Sequence, residues 1–127
     1  MEMDRSLAGW IESFLEHLRY QKSVSEHTLR NYASDLYQFH EYVTRTPEGE
    51  LREGPAPSQI DNMTVREFLG FLYEKRNSKS SVARKLSALR SFFRFLALSG
   101  AIASNPAKNI GSPRKEKRLP EYRYYGV

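Results

Sequence analysis

A histidine and an arginine three residues apart, in His27-Thr28-Leu29-Arg30, are the first groups in this chain that could do chemistry, one as a proton carrier and one as a phosphate-neutralising cation. Phosphoryl transfer needs several such groups gathered around one phosphate, and no positioned tyrosine or partner cluster accompanies this pair. It is read instead as a phosphate contact or a solvent-exposed pair. Tyr122, Tyr124 and Tyr125 offer phenolic nucleophiles at the other end, but in a stretch, Glu121-Tyr-Arg-Tyr-Tyr-Gly-Val, that reads as a tail. No catalytic residue is expected. With no cysteine, and with His17, His27 and His40 scattered, no metal-ligand spacing is present, and no glycine-rich phosphate loop suggests a cofactor.

The second set of chemically capable residues is basic and hydroxylic. Lys79, Ser80, Ser81, Arg84, Lys85, Ser87 and Arg90 crowd into twelve positions, and Ser25, Thr28, Arg30 and Asn31 form a smaller group upstream. Hydroxyls and free N–H groups at a helix start, with cations nearby, are the usual equipment for holding a phosphate. The competing role for Ser25, Ser80 and Ser81 is simple helix capping. Charge is distributed to match: residues 1–78 hold nine Lys/Arg against thirteen Asp/Glu, a net of −4, whereas residues 79–127 hold eleven against two, a net of +9. A polyanion would be drawn to the second part, and nucleic acid is the first suspect.

Helices must position these groups. Leu7, Trp10, Ile11, Phe14, Leu15 and Leu18 recur at helical spacing and predict a helix from about 7 to 20, with Ser6 as its cap. Ser25 caps a second, striped by Leu29, Tyr32, Leu36, Phe39 and Val43. From Thr44 to Asn62, three prolines and two glycines read as a loop with room for one short turn. Thr64 and Glu67 form a capping box for a third helix ending near Asn77. Ser80 or Ser81 then caps the longest, with Val82, Leu86, Leu89, Phe93 and Leu96 on one side and Gly100 as its stop. Ala88, Phe92 and Phe95 make its second half apolar around most of its girth, so it should run through the middle of the bundle. Arg84, Ser87 and Ser91 leave its first half a polar face. Asn105-Pro106-Ala107 could open a further turn, and Ser112 to Pro120 looks extended and basic. The predicted class is all-α, with one domain over residues 1–111 and a basic linker or tail over 112–127.

Two stretches resemble the core-binding, or SAM-like, domain of Xer-type tyrosine recombinases of the phage integrase family. They are Ser25-x-x-Thr28-Leu29-x-x-Tyr32-x-x-Asp35-Leu36-x-x-Phe39 and Lys85-Leu86-Ser87-Ala88-Leu89-Arg90-Ser91-Phe92-Phe93-x-Phe95-Leu96, followed in order by Asn105-Pro106-Ala107 and Leu119-Pro120. The resemblance implies an orthogonal four-helix domain with a short fifth turn, forming half of a clamp on duplex DNA. Its second and fourth helices would face the major groove, and it would work with other recombinase protomers in a tetrameric synapse when full length. It also implies that the catalytic Arg, Lys, His-x-x-Arg and Tyr belong to a separate C-terminal domain. His27-x-x-Arg30 spells part of that motif inside the N-domain pattern and is not its counterpart.

The expected DNA contacts are therefore Ser25, Thr28, Arg30, Asn31, Lys79, Ser80, Ser81, Arg84, Lys85, Ser87, Arg90, Arg114 and Lys115. Asp35, acidic on a supposed DNA-facing helix, should brace a neighbouring helix instead. Arg84 should be exposed enough that its truncation leaves stability nearly unchanged. No apolar run approaches the ~20 residues of a membrane span, and the polar N-terminus is unlike a signal peptide, so a cytoplasmic monomer is expected. The competing class is a helical protein-interaction module that docks a partner through exposed aromatics such as Phe95, without direct DNA contact.

Overall fold

The computed structural model describes residues 6–21, 23–45, 48–49 and 54–111. They form four α-helices, α1 (Leu7–Arg19), α2 (Glu26–Thr44), α3 (Asn62–Glu74) and α4 (Lys79–Leu98), with one 3-10 turn, Pro57–Gln59, ahead of α3. The all-α expectation holds. The short turn sits in the segment expected to be a loop, where Pro57 and Ile60 find burial that the local sequence does not advertise.

Each helix starts on a side-chain cap. Ser6 accepts from the Gly9 amide at 3.1 Å and Ser25 from the Thr28 amide at 3.1 Å, as the sequence predicts. The other two starts differ from expectation. Asp61 caps α3, accepting from both the amide (2.9 Å) and the hydroxyl (2.8 Å) of Thr64, so Thr64 lies inside the first turn rather than ahead of it. Ser78 caps α4 by accepting from the Ser81 amide at 3.1 Å, which moves Ser80 and Ser81 from the expected cap into the first turn, behind Lys79.

The helix ends are set by backbone closure. At Gly100, φ is +83°, and the amides of Gly100 and Ala101 bond back to the carbonyls of Ala97 (3.2 Å) and Leu96 (2.9 Å). The same pattern ends α3 three residues before Asn77. Arg76 takes φ +65°, while the amides of Arg76 and Asn77 bond to Tyr73 (3.0 Å) and Leu72 (3.1 Å). A left-handed arginine is uncommon. It allows α3 to turn directly into the Ser78 cap of α4.

α4 touches all three other helices, as its apolar girth predicts. Its neighbouring rings Phe92 and Phe93 divide the work. Phe92 packs on Phe14 of α1 with centroids 5.7 Å apart, and Phe93 meets Phe39 of α2 at 6.0 Å. Phe39 in turn meets Phe68 of α3 edge-on at 5.1 Å. These geometries are the favoured tilted and edge arrangements, and the chain of rings runs through all four helices. α1 and α2 are joined at the surface by Tyr37, whose hydroxyl donates to the Glu12 carboxylate. Burial, then the hydrogen bond and charge of Glu12, push the Tyr37 phenol up to about 12.

Beyond α4 the chain folds back onto the bundle. The Asn105 side chain accepts from the Ala107 amide at 2.9 Å, shaping the expected turn, and Ile102, Ala107 and Ile110 are buried. Asn62 donates to the Pro106 carbonyl at 3.1 Å, tying the turn to the start of α3.

The Asp61 cap predicts an acid limb of stability. Hydrogen bonds from Thr64 hold its carboxyl below its ordinary value, so its contribution is complete above that value and fades as pH falls through the lower, folded one. Asp61→Asn keeps a capping oxygen but cannot titrate. Thermal melts from pH 5 downward should show a shallower acid decline for this variant, and parallel curves would show that the cap carries no such linkage.

Candidate nucleic-acid interface

A buried carboxylate connects α2 to the polar face of α4. Asp35, only 2% exposed, accepts from Arg84 Nε at 3.1 Å and Nη2 at 2.8 Å, and from Lys85 Nζ at 3.1 Å. Asp35 thus braces a neighbouring helix as expected. Helix geometry explains the double grip, because consecutive α4 residues project roughly 100° apart and can take one carboxylate from two sides.

Lys85 corrects the sequence expectation. Its side chain is 10% exposed and its ammonium is used on Asp35, so it stands inside the bundle and not on a DNA-facing surface. The Arg84 side chain is 50% exposed, so the outward position holds. It also shares the charge of a buried acid with Lys85.

Around Arg84 the structure gathers part of the expected set. Ser80, Ser87 and Ser91 fall on the same stripe of α4 as Arg84, at helical intervals of three and four, with Ser80 and Ser87 exposed and Ser91 partly buried beside the Tyr32 hydroxyl at 3.5 Å. Exposed Arg94 extends the stripe. Sequence reading missed it, although the spacing 84, 87, 91, 94 was a usable signal. Lys79 is exposed and Ser81 partly buried in the first turn of α4.

On α2, Thr28 and Asn31 precede Asp35 on the same face. Ser25 donates to the Thr28 hydroxyl at 3.0 Å, and the Asn31 amide meets His27 Nε2 at 3.4 Å. Arg30 is exposed but lies roughly 140° around the helix from Asp35, on another face. Arg90 is partly buried, and its Nε donates to the Ala107 carbonyl at 3.3 Å while Asn105 donates to the Arg90 carbonyl at 3.3 Å. Its placement is that of a strut for the segment after α4. Arg114, Lys115 and the three tail tyrosines lie outside the described residues.

A recess lies elsewhere, between the end of α2, α3 and residues 54–59, and none of the nominated residues lines it. Among the described residues no group of three His, Cys, Asp or Glu side chains is placed to hold a metal ion, and no helix is long and apolar enough to cross a membrane. The feature that stands out is therefore an open, polar and basic surface.

Four helices around a shared aromatic core, with this surface along the fourth, define an all-α SAM-like bundle. Residues 11–100 match the phage integrase N-terminal SAM-like domain family, and the chain belongs to that family. It is similar to tyrosine recombinase XerC of Syntrophus aciditrophicus, 41% identical over 113 residues that cover 87% of this chain and 36% of that protein. It is also similar to XerC of Vibrio parahaemolyticus, 39% identical over 119 residues, covering 94% and 36% respectively. The chain spans about a third of the length of these curated relatives. The fold is shared with a lambda integrase fragment (residues 75–356) whose crystal structure was solved bound to DNA, with a TM-score of 0.66, 19% identity, and 89% of this chain and 35% of that one covered.

If the Asp35 pair is as load-sharing as its geometry implies, its two sides should respond unequally to truncation. Asp35→Ala leaves the buried Lys85 ammonium without its partner and should cost on the order of 3 to 5 kcal/mol. Arg84→Ala leaves Lys85 on Asp35 and removes a half-exposed partner, so about 1 kcal/mol or less is expected. Urea unfolding of both variants measures the contrast, and equal midpoints would show that the buried acid does not hold α2 to α4.

Proposed function

We propose that this chain is the DNA-binding N-terminal domain of a XerC-like site-specific tyrosine recombinase and grips duplex DNA through the outer faces of α2 and α4. The observation that carries this is the 41% identity, over nearly the whole chain, to a protein named as a tyrosine recombinase. Arg84, Ser80, Ser87 and Lys79 on α4, with Ser25, Thr28 and Asn31 on α2, supply the cation and short polar groups that such a grip requires. Arg94 joins them. Lys85 and Arg90 act from within the fold.

In this reading residues 1–111 bind DNA, and the basic residues of 112–127, Arg114 and Lys115 included, belong to a linker toward a catalytic domain. Strand cleavage and rejoining belong to that domain, in a cytoplasmic assembly of recombinase protomers on DNA. Among the described residues the His27 ring meets the Asn31 amide, which is consistent with this division.

Binding should depend steeply on salt. If roughly four to six phosphates are engaged, log K against log salt should fall with a slope of about −4 to −5, measured by fluorescence anisotropy on a labelled duplex. A flat response would remove the DNA-binding reading and favour a protein-docking module. A suicide substrate that traps tyrosyl–DNA intermediates should yield no covalent adduct with this chain, whereas an adduct would mean that catalysis resides here after all.

A further inference from the structure

We propose that Arg84 reads the major-groove edge of a guanine and that Asp35 is its positioning residue. This rests on the DNA-binding reading above and adds a specificity-determining contact to it.

The argument begins with which edge of the guanidinium is in use. Asp35 takes Nε (3.1 Å) and Nη2 (2.8 Å), the side-on edge, with one carboxylate oxygen to each. Two-point pairing fixes the plane of the group as well as its position. What is left is the end-on edge, made by Nη1 and the second Nη2 hydrogen, on a side chain that is half exposed. A planar pair of donors is thus left unclaimed by Asp35 on a half-exposed side chain.

Two acceptor pairs on DNA suit that edge: O6 with N7 of a guanine, or two oxygens of a phosphate. Charge helps to separate them. A phosphate is drawn mainly by charge, and a carboxylate 2.8 Å behind the cation weakens the field that it would meet. A guanine edge carries no formal charge, so it keeps the directed hydrogen bonds and loses less to the weakened field. Lys85, on the same Asp35 oxygen, offsets part of the acid's charge, so the preference for guanine rests first on the fixed plane of Arg84 and only second on the weakened field. Pre-alignment also lowers the side-chain entropy lost on contact. Exposed Ser80 and Ser87, one turn to either side, are free of this constraint and suit the flanking backbone.

The test uses the 127-residue chain and duplexes selected from a randomised pool. Selection should fix one guanine. Replacing it by 7-deazaguanine, which lacks the N7 acceptor, should weaken binding by about 5- to 150-fold. Arg84→Ala should bind the two duplexes equally, and Arg84→Lys, which keeps the charge but not the planar pair, should lose most of the discrimination. Asp35→Asn should also lose discrimination while retaining the parent's salt slope. If Asp35→Asn fails to fold, the Arg84→Lys and 7-deazaguanine results decide alone. The proposal is overturned if no guanine is fixed, if 7-deazaguanine is tolerated, or if Arg84→Ala weakens every duplex alike and reduces the salt slope by about one, which is the mark of a phosphate contact. Loss of salt-dependent binding in the parent chain would instead sink the DNA-binding reading itself.

Discussion

The buried carboxylate of Asp35 is the constraint around which the arrangement of α2 and α4 is organised. An acid that is 2% exposed must be fully paired, and here its partners are two consecutive residues of a helix 49 and 50 positions further along the chain. Sliding α2 along α4 by one turn would strand the acid and the Lys85 ammonium together. Apolar contacts tolerate small slippage, because rings and leucines find other rings and leucines, but a two-cation clasp does not. The pair therefore selects one register from those the core alone would permit.

The same interaction ties packing to surface. On one side of α4, Leu86, Leu89 and Phe93 are sealed in the core; on the other, Ser80, Arg84 and Ser87 face outward. Lys85 stands at the boundary with its stem among buried neighbours and its ammonium on Asp35. Arg90 does a related job further along, holding the chain after α4 against the bundle through Ala107 and Asn105. Cations that sequence reading counted as one basic cluster thus divide by angle around the helix into those that build the scaffold and those that it presents. A binding face carried on helices braced in this way keeps its geometry better than one carried on loops.

That division explains what was legible in the sequence. Helix positions, the Ser6 and Ser25 caps and the Gly100 stop follow from local chemistry, and local chemistry was enough to find them. The bracing role of Asp35 was readable too, because an acid on a supposed DNA face asks for another partner. The identity of the cap of α4 was not: Ser78, Ser80 and Ser81 are the same residue type, and only the packing of Val82 and Leu86 decides which of them sits outside the first turn. Lys85 was misread because lysine is ordinarily exposed and its partner is remote in sequence. The end of α3 was misplaced because Arg76 adopts a conformation usually given to glycine.

Charge also organises the molecule at longer range. Burial, and then the charges of Glu67 and Glu74, raise the Tyr42 phenol above its ordinary value. The recess there carries Glu41 and Glu67 beside Arg45 and Lys75, so its charges offset, and it shares no residue with the polar stripe of α4. A polyanion approaching the domain would meet no net charge at that recess but a surplus of cations along α4, which carries five Lys/Arg and no Asp/Glu, so the approach is oriented before any contact forms. Such a field carries no sequence information and cannot by itself choose a site. A directed contact such as the unclaimed edge of Arg84 can, provided its plane is held in advance, and the acid that holds it is the same one that sets α2 against α4.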